Sequence, residues 1–492
     1  MKAVHNLAMM LEESAAKYAG RVALINNNAR LTYLELERAA CALGNHLRSL
    51  GLGRGDKVAI MLPNCPEFVI AYFGVQKIGG VAVTLHTQST AYELRYLLGN
   101  SDSRCLITQG ELARRFEDIR AELPVCQHLI TTGAPDEPSP FLDITAKGPF
   151  TIALPELTGD DPAAMIYTSG LTGKPHGAVL THDNLYSQSE LLRTVVNSDE
   201  TDIGLAVIPL FHSFGAVANM ISPIRIGAGV ALMERFTLDG IFSMIEKEKV
   251  TYIAAVPRLF LGMFFHEKAD NYSLESLKVC ITGGAAMPAD FIPLFEKKFG
   301  IRIMEGYGLT EASPVASFSR LDMPQKPGSI GIPIPRVTAR IVDEAGQELS
   351  RGEVGELIVK GENIMQGYYK DEAATAQVLK NDWLYTGDLA RMDEDGYIFI
   401  TGRKKRMIIT SGFNVYPKEI EDVLNLHPAV QESLVIGKED LLRGETVKAI
   451  VVKKAGAQVE ERELLKHCRT YLSSYKAPRE IEFAEAINHP EK

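Results

Sequence analysis

A stretch rich in glycine and hydroxyl side chains, YTSGLTGKPHG at residues 167–177, has the composition of a phosphate-binding loop. Glycines let backbone N–H groups converge on an anion, and hydroxyl and ammonium groups add further donors. The spacing is not that of a Walker loop, because Lys174 is followed by proline. The candidate ligands are Thr168, Ser169, Gly170, Thr172, Gly173 and Lys174. A surface loop without a ligand is the alternative that these residues leave open.

A second stretch, EGYGLTE, could bind a nucleotide and a metal ion. The glycines on either side of Tyr307 let a ligand approach the backbone closely, and the tyrosine ring could stack on a base. Thr310 could donate to a phosphate, and Glu311 offers a hard oxygen ligand of the kind that Mg²⁺ prefers. The candidate residues are Glu305, Gly306, Tyr307, Thr310 and Glu311. A simple tight turn is the alternative.

Two further stretches bring charged groups. In YTGD, at residues 385–388, we predict a short turn that presents the carboxylate of Asp388, which could accept from two ribose hydroxyls. A turn capped by its own aspartate is the alternative. In GRKKR, at residues 402–406, four cations follow a glycine, and a cationic run by itself is typical of a solvated face.

Alternating strand and helix patterns must position these stretches. Apolar residues recur at helical spacing over 31–50 and are continuous over 57–62, which predicts a helix and then a buried strand. The scheme continues with a helix at 66–74 and strands at 80–84, 204–208, 250–256 and 278–282. Alternation of this kind predicts an α/β fold with largely parallel sheets.

The pattern changes after about residue 335. Turn-rich loops between predicted strands at 337–342 and 355–360 indicate a small β-rich lobe. The predicted elements beyond residue 402 are helices at 419–426 and 462–471 and strands at 432–437 and 446–453. We therefore predict an N-terminal domain over 1–402 and a small α+β C-terminal domain over 403–492.

Composition limits the kind of protein. The chain has 492 residues, 46% of them apolar, which predicts a globular protein of two or more domains. Its 52 basic and 62 acidic residues give a net charge of −10, which argues against nucleic acid as a partner. The six cysteines show no metal-ligand or disulfide spacing, so reduced thiols in a cytoplasmic enzyme are expected. Neither a signal peptide nor a membrane-spanning segment is expected.

With PLFHSFG added, these stretches follow one order, and in that order the chain resembles the adenylate-forming superfamily of acyl-CoA synthetases, luciferases and stand-alone adenylation domains. The resemblance runs from about residue 10 to the C-terminus. It rests on YTSGxTGKPxG, PLFHSFG, GYGLTE, YTGD and GRKKRMIITSGFNVYPKEIE, which start at residues 167, 209, 306, 385 and 402. Chance agreement across all five motifs is not credible.

The resemblance implies that ATP binds along these motifs. The loop at 168–177 would surround the phosphates, Tyr307 would lie against adenine, and Thr310 would contact the α-phosphate. Asp388 would hold the ribose with the help of Arg403.

The resemblance also implies sites for Mg²⁺ and a carboxylic acid. Glu311 would bind Mg²⁺, and His212 would lie near the carboxylate of the acid. Gly284 and Ala285 would lie between the adenine and acyl pockets.

The implied reaction has two halves. A carboxylate oxygen attacks the α-phosphorus of ATP to give an acyl-adenylate and pyrophosphate, and the thiol of coenzyme A then displaces AMP. Such a site stabilises charge on phosphoryl oxygens and needs no covalent nucleophile. Between the halves a mobile C-terminal domain turns about a hinge, which falls on Lys405, and Gly412 falls where pantetheine passes.

Three departures from the family pattern stand out. Leu171 replaces a threonine of the phosphate loop, and His176 replaces a lysine, so that one charge depends on pH. The family's adenylation lysine follows the YKxP motif within a TGK context, which Lys492 lacks. Either the matching lysine lies just beyond Lys492 or the chain does without it, and we expect the first.

The leading prediction is an AMP-forming acyl-CoA synthetase for a small- to medium-chain or alicyclic carboxylic acid. One alternative is an adenylation enzyme that loads a carrier-protein thiol; an amino-acid substrate would need a carboxylate for its ammonium, and Ala216 and Val217 offer none. The other is a nucleotide- and acyl-binding protein without catalysis. The particular acid, the direction of the reaction and a homo-oligomeric state stay open.

Overall fold

Two large sheets, here called sheet A and sheet B, form most of the N-terminal part of the computed structural model, which describes residues 6–27, 29–133, 139–168, 174–404, 407–440 and 443–487. From edge to edge, sheet A contains the strands Ile332–Pro333, Val315–Phe318, Arg302–Gly308, Val279–Thr282, Tyr252–Ala255, Ile203–Ala206, Gly229–Leu232, Val22–Asn26 and Ala29–Thr32. Sheet B contains Gly367–Tyr368, His176–Thr181, Pro162–Thr168, Val81–Thr84, Lys57–Met61, Ser103–Thr108 and His128–Thr131.

Most neighbouring strands in both sheets run parallel, as the strand–helix alternation predicts. Strands such as Val279–Thr282 are buried on both faces, since Cys280 packs into one apolar cluster and Ile281 into another. The helices of this part are Leu7–Tyr18, Tyr33–Ser49, Pro66–Lys77, Ala91–Ser101, Gly110–Glu117, Pro140–Lys147, His182–Gln188, Leu191–Val196, Ser213–Ala216, Ser222–Ile226, Leu238–Glu248, Pro257–Phe265 and Phe291–Phe299. Because parallel strands end at the same edge of a sheet, the loops that follow them meet there.

The helix Ala91–Ser101 begins with a capping box. The side chain of Thr90 accepts from the backbone N–H of Glu93, and the Glu93 carboxylate accepts from the backbone N–H of Thr90. Such a pair satisfies two donors that a helix start would otherwise leave unpaired. The position of the Glu93 side chain is therefore fixed by local sequence.

A small antiparallel sheet forms the β-rich lobe that the turn-rich sequence predicts. Its strands are Val337–Val342, Gly355–Gly361, Leu379–Lys380, Trp383–Met392 and Ile398–Arg403, and the helix Glu372–Val378 lies beside them. The prediction of a short turn at YTGD is wrong, because these residues lie inside the strand Trp383–Met392. Gly387, with a φ of +76°, lets the strand deform at this point. Asp388 then pairs with Arg403 on the neighbouring strand.

The described residues from 407 onward, here called the C-terminal unit, have a sheet and a core of their own. The strands are Ile408–Thr410, Phe413–Val415, Val430–Asp440, Gly444–Lys453 and Glu480–Ala484, and the helices are Pro417–Asn425 and Glu461–Tyr471. Ile420, Val451 and Leu464 meet in one buried cluster. The predicted fold class, an α/β part with a β-rich lobe followed by a small α+β unit, is confirmed. The domain boundary at residue 402 stays a prediction.

All six cysteines are free thiols. Burial raises the pKa of Cys41, Cys126 and Cys468 to about 12, so these thiols stay protonated at neutral pH. Within the ranges that the structure describes, no helix combines the length and the apolar character needed to cross a membrane.

Candidate active site

A cavity of about 1600 Å³ lies where the carboxyl edge of sheet A meets the lobe and the C-terminal unit. It is lined by Thr168, Lys174, His212, Gly284, Ala285, Glu305, Gly306, Tyr307, Thr310, Glu311, Asp388, Arg403 and Gly412. The predicted site residues Ser169, Gly170, Thr172, Gly173 and Lys405 lie outside the described residues, as do Leu171 and Lys492. Motifs that are far apart in the sequence therefore share one cavity.

Glu311 accepts hydrogen bonds from two hydroxyl groups. Its Oε1 lies 2.7 Å from the Tyr368 hydroxyl and 3.3 Å from the Thr168 hydroxyl. Burial raises the pKa of Tyr368 well above its usual range, so this hydroxyl stays a donor. The described residues hold no group of three or more His, Cys, Asp or Glu side chains that could bind a metal ion on its own. A single oriented carboxylate fits Mg²⁺ that takes its other ligands from phosphate and water.

Thr310 contacts Ser213, the residue that follows His212 in the sequence. The Thr310 hydroxyl is 3.2 Å from the Ser213 hydroxyl. Nδ1 of His212 accepts from the backbone N–H of Phe214 at 3.2 Å, which leaves the ring proton on Nε2. Burial lowers the pKa of His212 to about 4, so the ring is neutral at physiological pH. His212 can therefore donate a hydrogen bond in the cavity without adding a charge.

Asp388 is held by side chains from two other strands. Its Oδ2 accepts from the Tyr307 hydroxyl at 2.5 Å, and its Oδ1 lies 2.9 Å from Nε of Arg403. Burial and the charge of Asp388 raise the pKa of Tyr307 well above its usual range, so the hydroxyl remains a donor. The fixed carboxylate keeps lone pairs for two further hydrogen bonds. The two hydroxyl groups of a ribose can donate these two hydrogen bonds.

One end of the cavity is apolar. A Cβ atom on Gly306 would lie 2.8 Å from the Phe318 ring, and one on Gly283 would lie 3.4 Å from the Phe214 ring. Gly283 follows the strand Val279–Thr282, and Gly306 lies within the neighbouring strand Arg302–Gly308, so both bring these rings close to the backbone of sheet A. Val315 also lines the cavity and packs in the same apolar cluster as Phe214 and Phe318.

Gly412 brings the C-terminal unit against the cavity. A Cβ atom on Gly412 would lie 2.5 Å from Cγ1 of Val256, and the Gly412 carbonyl oxygen lies 3.9 Å from the position of a Cβ on Gly284. The φ of Gly412 is +86°, which favours glycine. In this pose, the short contact with Val256 and the positive φ therefore both disfavour any residue other than glycine at position 412.

Aromatic rings next to Gly412 join the C-terminal unit to the N-terminal part. The Phe413 ring lies parallel to the Phe211 ring, with centroids 6.4 Å apart, and the Tyr475 ring stacks on His86 at 5.1 Å. Burial lowers the pKa of His86 to about 4. Sequence reasoning missed His86. Its place two residues after the buried strand Val81–Thr84 is the signal that could have found it.

Two basic side chains lie in the last part of the phosphate-loop sequence. Lys174 is exposed, with Nζ 6.0 Å from the centroid of the Tyr96 ring. Nδ1 of His176, the histidine that replaces the family lysine, lies 3.0 Å from a carboxylate oxygen of Asp371.

The carboxyl group of Glu305 is buried, and we expect it to make the stability of the protein depend on pH. The residue is 8% exposed, and burial raises its pKa to about 7 although the backbone N–H of Met287 donates to it. The folded chain holds this proton more tightly than the unfolded chain, so stability should fall as pH rises through this interval. From pH 5.5 to pH 7 the wild type should lose about 1.5 kcal/mol of unfolding free energy relative to Glu305→Gln. Urea unfolding at both pH values measures this; equal pH dependence in the two proteins would contradict it.

Two family models match the chain. The model described as AMP-binding enzyme matches residues 11–369, and the model described as AMP-binding enzyme C-terminal domain matches residues 419–490. The first match spans sheets A and B. The second begins in the helix Pro417–Asn425 of the C-terminal unit and continues to residue 490.

Similar proteins extend over nearly the whole chain. The long-chain-fatty-acid–CoA ligase of Bacillus subtilis (strain 168) is 36% identical, with 98% of this chain and 91% of that protein covered. The solved o-succinylbenzoate CoA synthetase of Bacillus subtilis is 28% identical with a TM-score of 0.87, and the match covers 98% of this chain and 95% of that one. The anthranilate CoA ligase AuaEII, solved with anthranoyl-AMP, is 29% identical with a TM-score of 0.78, covering 100% and 95%.

Proposed function

Because the chain belongs to the family of AMP-binding, adenylate-forming enzymes, we propose that it is an AMP-forming acyl-CoA synthetase for a small- to medium-chain or alicyclic carboxylic acid. The reaction converts the acid, ATP and coenzyme A into acyl-CoA, AMP and pyrophosphate. One observation carries the proposal: Asp388 with Tyr307, Thr310 with Glu311, and Gly412 all line a single cavity.

In the first half-reaction, a carboxylate oxygen of the acid forms a bond to the α-phosphorus of ATP, and the bond from that phosphorus to pyrophosphate breaks. Tyr307 lies against adenine, and Asp388 accepts from the ribose hydroxyls. Thr310 and Lys174 donate to phosphate oxygens, where charge accumulates in the transition state. His212 donates from Nε2 to the acid carboxylate and orients it.

Glu311 is the protein ligand of Mg²⁺ in this proposal. The hydroxyls of Tyr368 and Thr168 orient its carboxylate by donating to Oε1. When bound, the ion supplies positive charge that neutralises phosphate oxygens. Glu311→Gln would retain the shape of the side chain but remove the anionic ligand.

In the second half-reaction, the thiol sulfur of coenzyme A forms a bond to the acyl carbonyl carbon, the bond from that carbon to the phosphate oxygen of AMP breaks, and the thiol proton leaves to solvent. Gly412 leaves room for the pantetheine arm. Gly412 lies against Val256 and against the loop that contains Gly284, here called the Gly284 loop. This contact supports the role, because the backbone of Gly412 reaches the cavity wall without a side chain.

The apolar end of the cavity supports an acid of limited length. The rings of Phe214 and Phe318 line this end together with Val315. Met304 and Tyr252 are fully buried in the same apolar cluster as Phe318. A long acyl chain would have to displace these packed side chains. Overpacking a protein interior costs roughly 1–3 kcal/mol for each position.

A panel of acids tests the proposal. Purified protein is given ATP, Mg²⁺ and acetate, butyrate, octanoate, cyclohexanecarboxylate, benzoate or palmitate, first in ATP–pyrophosphate exchange and then with coenzyme A. We expect exchange and thioester formation with octanoate or cyclohexanecarboxylate to exceed those with palmitate. A preference for palmitate would overturn the size class. Exchange without any acyl-CoA would favour a carrier-protein thiol as acceptor, and absence of exchange with every acid would overturn the enzymatic proposal.

A further inference from the structure

A buried group of charges joins helix Ala91–Ser101 to the C-terminal unit. Nζ of Lys476 lies 2.9 Å from Oε1 of Glu93 and 2.6 Å from Oε1 of Glu419. The three side chains, here called the charge triad, are only 8%, 9% and 10% exposed in the order Lys476, Glu93 and Glu419. The hydroxyl of Ser473 also donates to Oε2 of Glu93 at 2.6 Å.

The charge triad is divided between two parts of the chain. Lys476 and Glu419 both belong to the C-terminal unit, whereas Glu93 belongs to the N-terminal part and is fixed there by its capping box with Thr90. One ion pair is therefore internal to the C-terminal unit, and the other crosses the interface. If Glu93 loses its charge, Lys476 keeps a carboxylate partner in its own unit, so that unit has no unpaired buried cation.

Neutral contacts surround the crossing ion pair. The Thr90 hydroxyl donates to the Tyr471 carbonyl oxygen at 2.8 Å, and the Ser474 hydroxyl donates to Oε1 of Gln88 at 2.6 Å. The rings of Tyr92 and Tyr471 meet edge to face at 5.1 Å. These contacts fix the register of the interface and help to keep water away from the charges.

The crossing pair stabilises one orientation of the C-terminal unit. In this orientation Gly412 lies against Val256 and the Gly284 loop. A buried ion pair is expensive to break because each charge must be solvated or paired again. An interaction present in one pose and absent in another shifts the balance between the two by its own free energy. The charge triad is therefore able to set how often Gly412 lies at the cavity.

We propose that Glu93 is a positioning residue that, through Lys476, holds the C-terminal unit in the pose for thioester formation. This inference rests on the proposed function, in which pantetheine passes Gly412. Glu93 acts on the second half-reaction alone, because adenylate formation does not require Gly412 at the cavity wall. The Ser473 hydroxyl supports Glu93 in this role.

Glu93→Gln tests the proposal by removing the crossing charge and retaining the shape of the side chain. The apparent KM for coenzyme A should rise about tenfold, because a smaller fraction of the enzyme is in the competent pose. Single-turnover pyrophosphate release should keep its rate. Glu93→Asp, which restores the charge, should recover part of the effect, and Ser473→Ala should give a smaller change in the same direction.

Glu37→Gln is the matched control. Glu37 pairs with Lys77 at 2.6 Å, with side chains 13% and 0% exposed, but both residues belong to the N-terminal part. This variant should leave the apparent KM for coenzyme A unchanged. Equal losses in both half-reactions of Glu93→Gln, or no change in either, would overturn the proposal.

Hydrogen exchange supplies a readout that needs no activity. In Glu93→Gln the backbone amides of residues 90–97 and of residues 471–477 should both exchange faster than in the wild type. Each segment becomes exposed to solvent when the C-terminal unit leaves this pose. Glu37→Gln should not change these segments. If the wild type forms no acyl-CoA, the proposed function fails and exchange still decides whether Glu93 holds the pose. Unchanged exchange in Glu93→Gln would overturn the inference whatever the activity.

Discussion

Replacement of Gly412 by leucine is expected to lower thioester formation by about a hundredfold or more while adenylate formation keeps its rate. A Cβ atom on Gly412 already comes within 2.5 Å of Val256, and the positive φ adds backbone strain for any other residue. In the proposed second half-reaction, the leucine side chain would also narrow the path of the pantetheine arm. Pyrophosphate release and acyl-CoA formation, measured separately in single turnovers, test the expectation.

Two controls separate the contact at Gly412 from its backbone strain. Gly396 has a φ of +85° and open space around its Cβ position, so Gly396→Ala introduces strain without contact and should leave thioester formation intact. Gly412→Ala should impair it, and adding Val256→Ala should restore part of the rate by removing the atom in closest contact. A parallel fall of both half-reactions in Gly412→Leu would mean that Gly412 is structural.

Asp388→Ala is expected to raise the apparent KM for ATP about ten- to a hundredfold. The carboxylate is fixed by Tyr307 and Arg403, and in the proposed site it accepts from two ribose hydroxyls. Loss of a charged acceptor costs about 1.5–3 kcal/mol. Steady-state kinetics with varied ATP, together with calorimetric titration of ATP, measure the change.

Asp393→Ala is a suitable comparison for Asp388→Ala. Asp393 also belongs to the lobe and pairs with Lys326 at 2.5 Å, but it is not among the described residues that line the cavity. Its loss should leave the affinity for ATP unchanged. Equal ATP affinity in wild type and Asp388→Ala would remove Asp388 from the nucleotide site.

Local pattern was enough to predict most elements of the fold. The strand Val337–Val342 was predicted with the observed bounds, because its apolar residues stand between turn-forming residues. The strand Val430–Asp440 is longer than the predicted 432–437. Its last residues, such as Lys438 and Glu439, are polar and are held by backbone pairing with the strand Gly444–Lys453. Such pairing leaves no hydrophobic signal in the sequence.

The candidate site was partly predictable for a similar reason. Motif residues such as Thr310 and Asp388 have neighbours in sequence that indicate their chemistry. Tyr368 bonds to Glu311 from 57 positions away, and Glu93 meets Lys476 across 383 positions. The sequence around Glu93 indicates a helix start and nothing more. Its second partner exists only because the chain folds back to that helix.

Five of the six cysteines are buried and Cys65 is half-buried, which has a chemical consequence for a protein that handles activated acyl groups. None of the six lines the part of the cavity that the structure describes, and burial raises the pKa of each of them. An acyl-adenylate is an electrophile that thiolates attack readily, so a cysteine in the cavity wall would be acylated and would inactivate the protein. Because its own sulfur atoms are protonated and out of reach, the chain avoids self-acylation. Chemoselectivity for the incoming thiol thus follows from the packing of the core.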